Sequence, residues 1–273
     1  MKQTEKNQVI LITGASEGIG RELALLYAKR KAKLVLASRN QSTLADLAIE
    51  CERMEAQALA VQTDVSSSED CKNLIEQAVK KFGKIDILIN SAGVSMSTPF
   101  ESVQDLSVFR KLMDVNYLGT VYTSYFALSY LKKNKGMIVN ISSLQGKTGF
   151  PRSTGYAASK FAVQGFSDSL RIELIGTGVG VLVVSPGPIA TKMNYRKFDA
   201  NGIITQEEDL KSGKRKLMSP EECACLIAKS ISKRERELIM TFGGKLIPWV
   251  RLLSPTFVDR MIANAVKRFY SDK

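Results

Sequence analysis

The chain has 273 residues, 44% apolar and 24% charged, a composition that excludes a mainly disordered, collagen-like or coiled-coil architecture. Lys and Arg number 39 against 27 Asp and Glu, a net charge of +12. That excess suits phosphate-bearing ligands, acidic membranes or nucleic acid, but it is spread along the chain, without the compact basic tract or zinc-finger spacing of a nucleic-acid binder.

In chain order, Val9–Thr13, Leu34–Ser38, Ala58–Gln62, Asp86–Asn90, Met137–Ile141, Val181–Ser185 and Glu237–Thr241 read as seven strands. Most are rich in Val, Ile and Leu with little alternation, as strands covered on both faces are. Helices are expected near 19–31, 42–56, 68–82, 104–133, 154–177 and 220–232. The alternation predicts an α/β fold: a Rossmann-type, doubly wound parallel sheet with helices on both faces and a crevice beyond the C-terminal strand ends. Residues 1–244 are expected to form a single domain, with 192–218 as a lid and 245–273 as an apolar, basic extension.

No stretch of 18 apolar residues predicts a conventional transmembrane helix, and Met1–Gln8 lacks the apolar centre of a signal peptide. Cys51, Cys71, Cys223 and Cys225 therefore read as reduced thiols of a cytoplasmic protein. Cys223 and Cys225, two apart on a helix, face different directions; no metal site is expected, and the pair reads as two buried small thiols. With no histidine in the chain, Ser-His-Asp and Cys-His catalysis are excluded, and acid/base work falls to Tyr, Lys, Asp, Glu or Cys.

The first strand runs into Thr13-Gly14-Ala15-Ser16-Glu17-Gly18-Ile19-Gly20, followed by a helix. Glycines permit a tight turn and close approach of backbone N–H groups to phosphate, and the helix N-terminus adds its dipole. Further motifs follow in order: Asp64-Val65, Asn90-Ser91-Ala92-Gly93, Asn116, Ser143, Tyr156, Lys160, and Pro186-Gly187-Pro188-Ile189-Ala190-Thr191. Together they resemble the classical short-chain dehydrogenase/reductase family over about residues 7–241, with Ser91 in place of that family's second Asn. The resemblance implies a cofactor site that includes Gly14, Ser16, Gly18, Ile19, Gly20, Asn90, Ala92, Gly93, Pro186, Gly187, Ile189 and Thr191. It also implies that Asp64 and Val65 hold the adenine ring.

At the end of the second strand the chain reads Ser38-Arg39-Asn40. The place of the acid that binds an NAD ribose holds Ser38, and Arg39 can clamp the 2′-phosphate of NADP(H). Inside the glycine loop, where many NADP-preferring relatives carry a second basic residue, this chain has Glu17.

Tyr156 and Lys160 are spaced i, i+4, stacked on one helix face. A nearby cation favours phenolate and lowers a tyrosine pKa. By resemblance, Tyr156 donates a proton to a carbonyl oxygen and Lys160 also bonds the nicotinamide ribose. Ser143 steadies the developing oxyanion and Asn116 holds a relay water. Ser142 competes locally with Ser143, but the 13-residue spacing to Tyr156 favours Ser143.

The implied activity is NADP(H)-dependent interconversion of a ketone and a secondary alcohol on a lipophilic small molecule. Three alternatives compete: a non-catalytic dinucleotide sensor, which would be expected to lose the tyrosine or lysine; an epimerase or dehydratase, typically longer with different glycine spacing; and, last, nucleic-acid binding. Substrate walls are expected from Met96, Phe100, Met193, Tyr195, Phe198, Leu217 and Met218, with a cationic rim at Lys192, Arg196 and Lys197. Glu207, Glu208 and Asp209 read as a solvated acidic cluster. A homodimer or homotetramer is implied by resemblance, and the apolar residues of the 104–133 helix agree with a partner helix. Residues 245–273 hold six Lys/Arg and two Asp among Trp249, Phe257 and aliphatic residues, and Pro248 and Pro255 are expected to break the tail into two short amphipathic pieces. Two readings of this tail stand together: it covers the cleft, or it docks on an anionic membrane surface.

Overall fold

The computed structural model describes residues 5–194, 196–206 and 217–270. Tyr195, Glu207, Glu208, Asp209 and much of the expected lid lie outside the described residues. Seven strands, β1 (Val9–Thr13), β2 (Lys33–Ser38), β3 (Gln57–Gln62), β4 (Ile87–Asn90), β5 (Met137–Ile141), β6 (Gly180–Ser185) and β9 (Glu237–Ile239), form one parallel sheet in the order β3-β2-β1-β4-β5-β6-β9. Two more, β7 (Arg196–Phe198) and β8 (Ile204–Gln206), form a separate antiparallel hairpin.

On one face lie α1 (Gly18–Lys29), α2 (Gln41–Glu52) and α7 (Pro220–Ser232); on the other α3 (Ser68–Phe82), α5 (Gly119–Asn134) and α6 (Thr154–Glu173). β1 shows why its sequence is continuously apolar: Ile10 and Ile12 enter one layer, Val9 and Leu11 the other. Each such buried side chain contributes about 1.5–3 kcal/mol relative to exposure. Local signals delimit the helices. Ser67 Oγ accepts from Asp70 N at 3.1 Å at the start of α3, and Ser219 Oγ accepts from Glu222 N at 3.1 Å ahead of Pro220 in α7. The strand order reverses between β1 and β4, and the crevice opens beyond their C-terminal ends.

Three expectations change. The helix expected over 104–133 is α4 (Ser107–Met113), a π turn (Asp114–Leu118) and α5. Asn116 sits in that turn with its side chain tied to the Val94 backbone, its Oδ1 accepting from N at 2.8 Å and its Nδ2 donating to O at 2.9 Å. β9 stops at Ile239, and Thr241, expected in the strand, caps α8 (Phe242–Leu253), accepting from Gly244 N at 3.0 Å. Pro248, expected to break the tail, lies inside α8; the break falls at Ser254, where Pro255 opens α9 (Pro255–Tyr270). The boundary expected after Gly244 thus falls within the first turn of α8.

Candidate active site

A continuous cleft of about 1120 Å³ runs along the C-terminal ends of the sheet, with Gly14, Ser16, Gly18 and Ile19 at one end. Gly14 and Gly18 have φ of 65° and 60°, a left-handed conformation that side chains disfavour. At Gly14 a Cβ would also lie 2.7 Å from Ala92 Cα. Gly20 does not line the cleft. A Cβ there would lie 2.3 Å from the Gly14 carbonyl oxygen, so this glycine lets the first turn of α1 press against the loop. Thr13 Oγ1 accepts from Ser91 N at 3.1 Å and Ala92 N at 3.2 Å, joining the exits of β1 and β4.

Ser38, Arg39 and Asn40 line the same end of the cleft. The Asn40 side chain is already engaged as the cap of α2, accepting from Thr43 N at 3.2 Å, whereas Arg39 is exposed. Asp64 and Val65 form the adjoining wall, with Asp64 Oδ1 accepting from Ser66 N at 3.0 Å. Ala92 and Gly93 line the floor, but Asn90 turns inward. Its Nδ2 donates to Asn140 Oδ1 at 2.9 Å and its Oδ1 accepts from Thr123 at 2.7 Å. Asn90 therefore ties β4 to β5 beneath the cleft.

At the cleft's other end, Ser143 leaves β5 and meets Tyr156 and Lys160 of α6. Ser143 hydrogen-bonds the Tyr156 phenol. Ser142 does not compete: its hydroxyl donates to the Lys160 carbonyl at 3.1 Å. Lys160 Nζ lies 5.7 Å from the Tyr156 ring centroid and donates to the Ile141 carbonyl at 2.9 Å. Burial pushes its pKa down to about 8. For Tyr156 the sequence-based expectation of a lowered pKa is reversed: burial raises it, with the Ser143 hydrogen bond opposing the rise. The cation carries too little against the loss of water around the phenol. Asn116 lies behind the cleft, donating to Ser159 Oγ at 2.9 Å and bracing Val94. Gly93 marks how close these groups are: a Cβ there would lie 3.2 Å from Asn116 Oδ1 and 3.6 Å from Lys160 Nζ.

Residues 8–202 match the family model described as short chain dehydrogenase. The chain belongs to the short-chain dehydrogenase family. It is 35% identical over 256 residues to an 11-beta-hydroxysteroid dehydrogenase A of Sesamum indicum, covering 92% of this chain and 73% of the relative. It is 36% identical over 258 residues to 11-beta-hydroxysteroid dehydrogenase-like 3 of Arabidopsis thaliana, covering 92% and 79%. An alcohol dehydrogenase from the archaeon Thermococcus sibiricus, solved with 5-hydroxy-NADP, shares the fold with a TM-score of 0.72 and 24% identity, covering 85% of this chain and 95% of that one.

In this short-chain dehydrogenase the segment Pro186–Thr191 forms a rim of the cleft, with Pro186, Gly187, Ile189 and Thr191 all lining it. Met96, Met193, Leu217 and Met218 line the cleft, along with Lys192, Arg196 and Lys197. Phe100 instead stands exposed outside the cleft. Phe198 is buried in a cluster with Met96 and Tyr156, below the cleft surface. Sequence reasoning missed the wall contributed by Phe150 and Gln145, whose Oε1 is buried without a hydrogen-bond partner among the described residues. The tail contributes directly: Gly243, Gly244 and Ile247 of α8 and Ala265 and Val266 of α9 line the cleft, the geometry of a cover. Cys223 is buried, but Cys225 is exposed, against the expectation of two buried thiols. Among the described residues no group of His, Cys, Asp or Glu could hold a metal, and no helix is long and apolar enough to cross a membrane.

Proposed function

We propose that this short-chain dehydrogenase uses NADP(H) to interconvert a ketone and a secondary alcohol on a lipophilic substrate. The carrying observation is one cleft with Arg39 and a glycine cradle at one end and Ser143, Tyr156 and Lys160 at the other. The residues present fit a dinucleotide. The Gly14 cradle leaves backbone room that a Cβ would fill, and at the end of β2 Ser38 and the Arg39 guanidinium stand where an NAD-binding carboxylate would be, the charge that suits a 2′-phosphate. Ser16, Gly18 and Ile19 would meet the phosphates, Asp64 and Val65 the adenine, and Ala92, Gly93, Pro186, Gly187, Ile189 and Thr191 the nicotinamide half.

When bound, NADPH supplies hydride to the carbonyl carbon. Tyr156 gives its proton to the carbonyl oxygen, and its raised pKa keeps that proton on the phenol until it is needed. The Ser143 hydroxyl steadies the charge developing on that oxygen. Lys160 presents a cation behind the ring, and Asn116 in its π turn positions the water path that returns a proton to Lys160. A lysine cation whose pKa burial pushes down is expensive to keep; that argues for chemistry rather than a non-catalytic sensor.

Val94, Met96, Phe150, Met193, Met218 and Ile247 suit a large apolar ketone; a hydroxysteroid, the substrate type named in the relatives, is a molecule of this kind. The outer face of the tail carries Phe242, Leu246, Trp249, Leu253 and Phe257 exposed, rimmed by Lys245, Arg251 and Arg260. Such a cluster exceeds the scattered apolar residues of an ordinary surface and suits shallow docking on anionic lipid, with the cleft on the inner side of the same helices. A dimer or tetramer through α5 and α6 is the assembly that exposed Tyr125, Phe161 and Ile172 support.

The test has two arms. NADPH oxidation screened across steroid ketones, small ketones and ketoacyl thioesters should favour the steroid-like class; consumption confined to small polar ketones would overturn the substrate reading. Sedimentation with anionic vesicles should carry the protein down at low salt, and Trp249→Ser with Leu253→Ser should leave it in the supernatant. Wild-type protein remaining in the supernatant would refute docking.

A further inference from the structure

We infer that Arg196, carried by the lid hairpin, is a second cationic anchor for the 2′-phosphate of NADP(H), supplied from across the cleft because the glycine loop itself lacks one. This rests on the NADP(H) reading above. The loop is stitched to β2 by a hydrogen bond from Ala15 N to the Ala37 carbonyl at 3.1 Å, so Ser16 and Glu17 lie beside Ser38 and Arg39. All four line the cleft. Glu17 places a carboxylate where a phosphate would need a cation, and alone it cancels the charge of Arg39.

Arg196 changes that balance. Its Nη1 donates to both Glu17 carboxylate oxygens, at 3.1 and 3.0 Å. No hydrogen bond from its other two nitrogens is found among the described residues, so the guanidinium can hold Glu17 and still offer donors to a phosphate. With Arg196 in place the three side chains sum to one positive charge rather than zero.

The position of Arg196 is set by backbone, not by the ion pair. Phe198 N donates to the Ser95 carbonyl at 2.8 Å, and Ser97 N donates to the Phe198 carbonyl at 3.4 Å, laying β7 along the segment after β4. Phe198 is buried with Met96. Arg196, two residues earlier, falls on the same side of the strand. The Glu17 and Arg196 side chains remain 44% and 50% exposed. An exposed pair of this kind adds little to stability, so its placement in the cleft points to the ligand.

The experiment is calorimetric titration of full-length protein with NADPH and NADH, comparing wild type with Arg196→Gln, Arg196→Lys, Glu17→Gln and the Glu17→Gln/Arg196→Gln double variant. Arg196→Gln should weaken NADPH about tenfold and NADH by no more than about twofold, the size expected for one lost charge-assisted bond. Arg196→Lys should restore most of the loss. Glu17→Gln should leave NADPH binding equal or tighter, and the double variant should fall between the two single variants. If Arg196→Gln and Glu17→Gln weaken both nucleotides alike, the pair is only a latch and the inference is wrong. It is equally wrong if Arg196→Gln changes nothing. Wild-type protein that binds NADH better than NADPH would remove the NADP(H) reading itself, a result separable from either of these. Because both side chains are half exposed, unchanged thermal unfolding should accompany every variant.

Discussion

The two walls of the cleft are built from different kinds of chain. The glycine loop, the Ser91–Gly93 turn and Ser143 leave β1, β4 and β5, strands whose residues are all buried. They are joined below by the Thr13, Asn90 and Asn140 side chains. The facing wall comes from a hairpin of two three-residue strands and from α8 and α9, whose outer surfaces are exposed and apolar. The phenol, the lysine and the glycine loop sit on the buried side. The other side closes the cleft with apolar side chains of α8 and α9 and brings in Arg196 on β7. Placement on the buried side thus comes from buried strand exits and from the buried face of α6.

That contrast can be broken by substitution. On the buried side, Tyr156→Phe should lower turnover by about a thousandfold, within the range for loss of a general acid, while NADPH affinity by titration stays within about twofold. A joint loss of binding would mean that the ring also holds the cofactor site together. Arg39→Asp should weaken NADPH by about 10–100-fold with NADH little changed, since a carboxylate replaces a phosphate-binding cation; an unchanged preference in binding assays would contradict that assignment.

Stability should divide along the same line. Leu11→Ala, in the middle of β1 and fully buried, should cost about 2–5 kcal/mol in urea unfolding. Leu253→Ser, 88% exposed on α8, should change stability by less than about 0.5 kcal/mol and weaken anionic-vesicle binding instead. Similar losses at the two positions would erase the distinction between the walls.

The remaining effect is a pH slope and concerns Lys160. Burial lowers its pKa from 10.5 to about 8, so between these values the unfolded chain holds a proton that the folded protein has released. Stability must then rise with pH across that window, the reverse of a lysine gaining a partner. Urea midpoints of wild type and Lys160→Met should approach the alkaline end with different slopes, the wild type gaining relative to the variant. Parallel curves would place the lysine charge in solvent.

Much of this was legible in the sequence because it is carried locally. Strand exits followed by glycines, the i, i+4 spacing of Tyr156 and Lys160, and Ser-capped helix starts are short-range patterns, and the structure places the residues accordingly. What was not legible depends on packing. Asn90 belongs to a motif beside the cofactor site, but its amide is used to join two strands, which spacing alone cannot reveal. The direction of the Tyr156 shift depends on burial, and the i, i+4 pattern announces only the neighbouring cation. The β7–β8 hairpin is too short to have a pattern of its own; it forms because β7 finds backbone partners after β4. Pro248 reads as a helix breaker, yet α8 runs through it.

The central claim is hydride transfer between NADP(H) and a lipophilic ketone, and isotope transfer tests it most directly. Wild-type protein is supplied with NADPH fully deuterated at the reactive nicotinamide carbon and a steroid ketone, and the product is analysed by mass spectrometry. The account predicts one deuterium in each alcohol molecule, bound to the carbinol carbon, with an equal amount of NADP+ formed. An alcohol without deuterium, or no alcohol while NADPH binds normally, would contradict it.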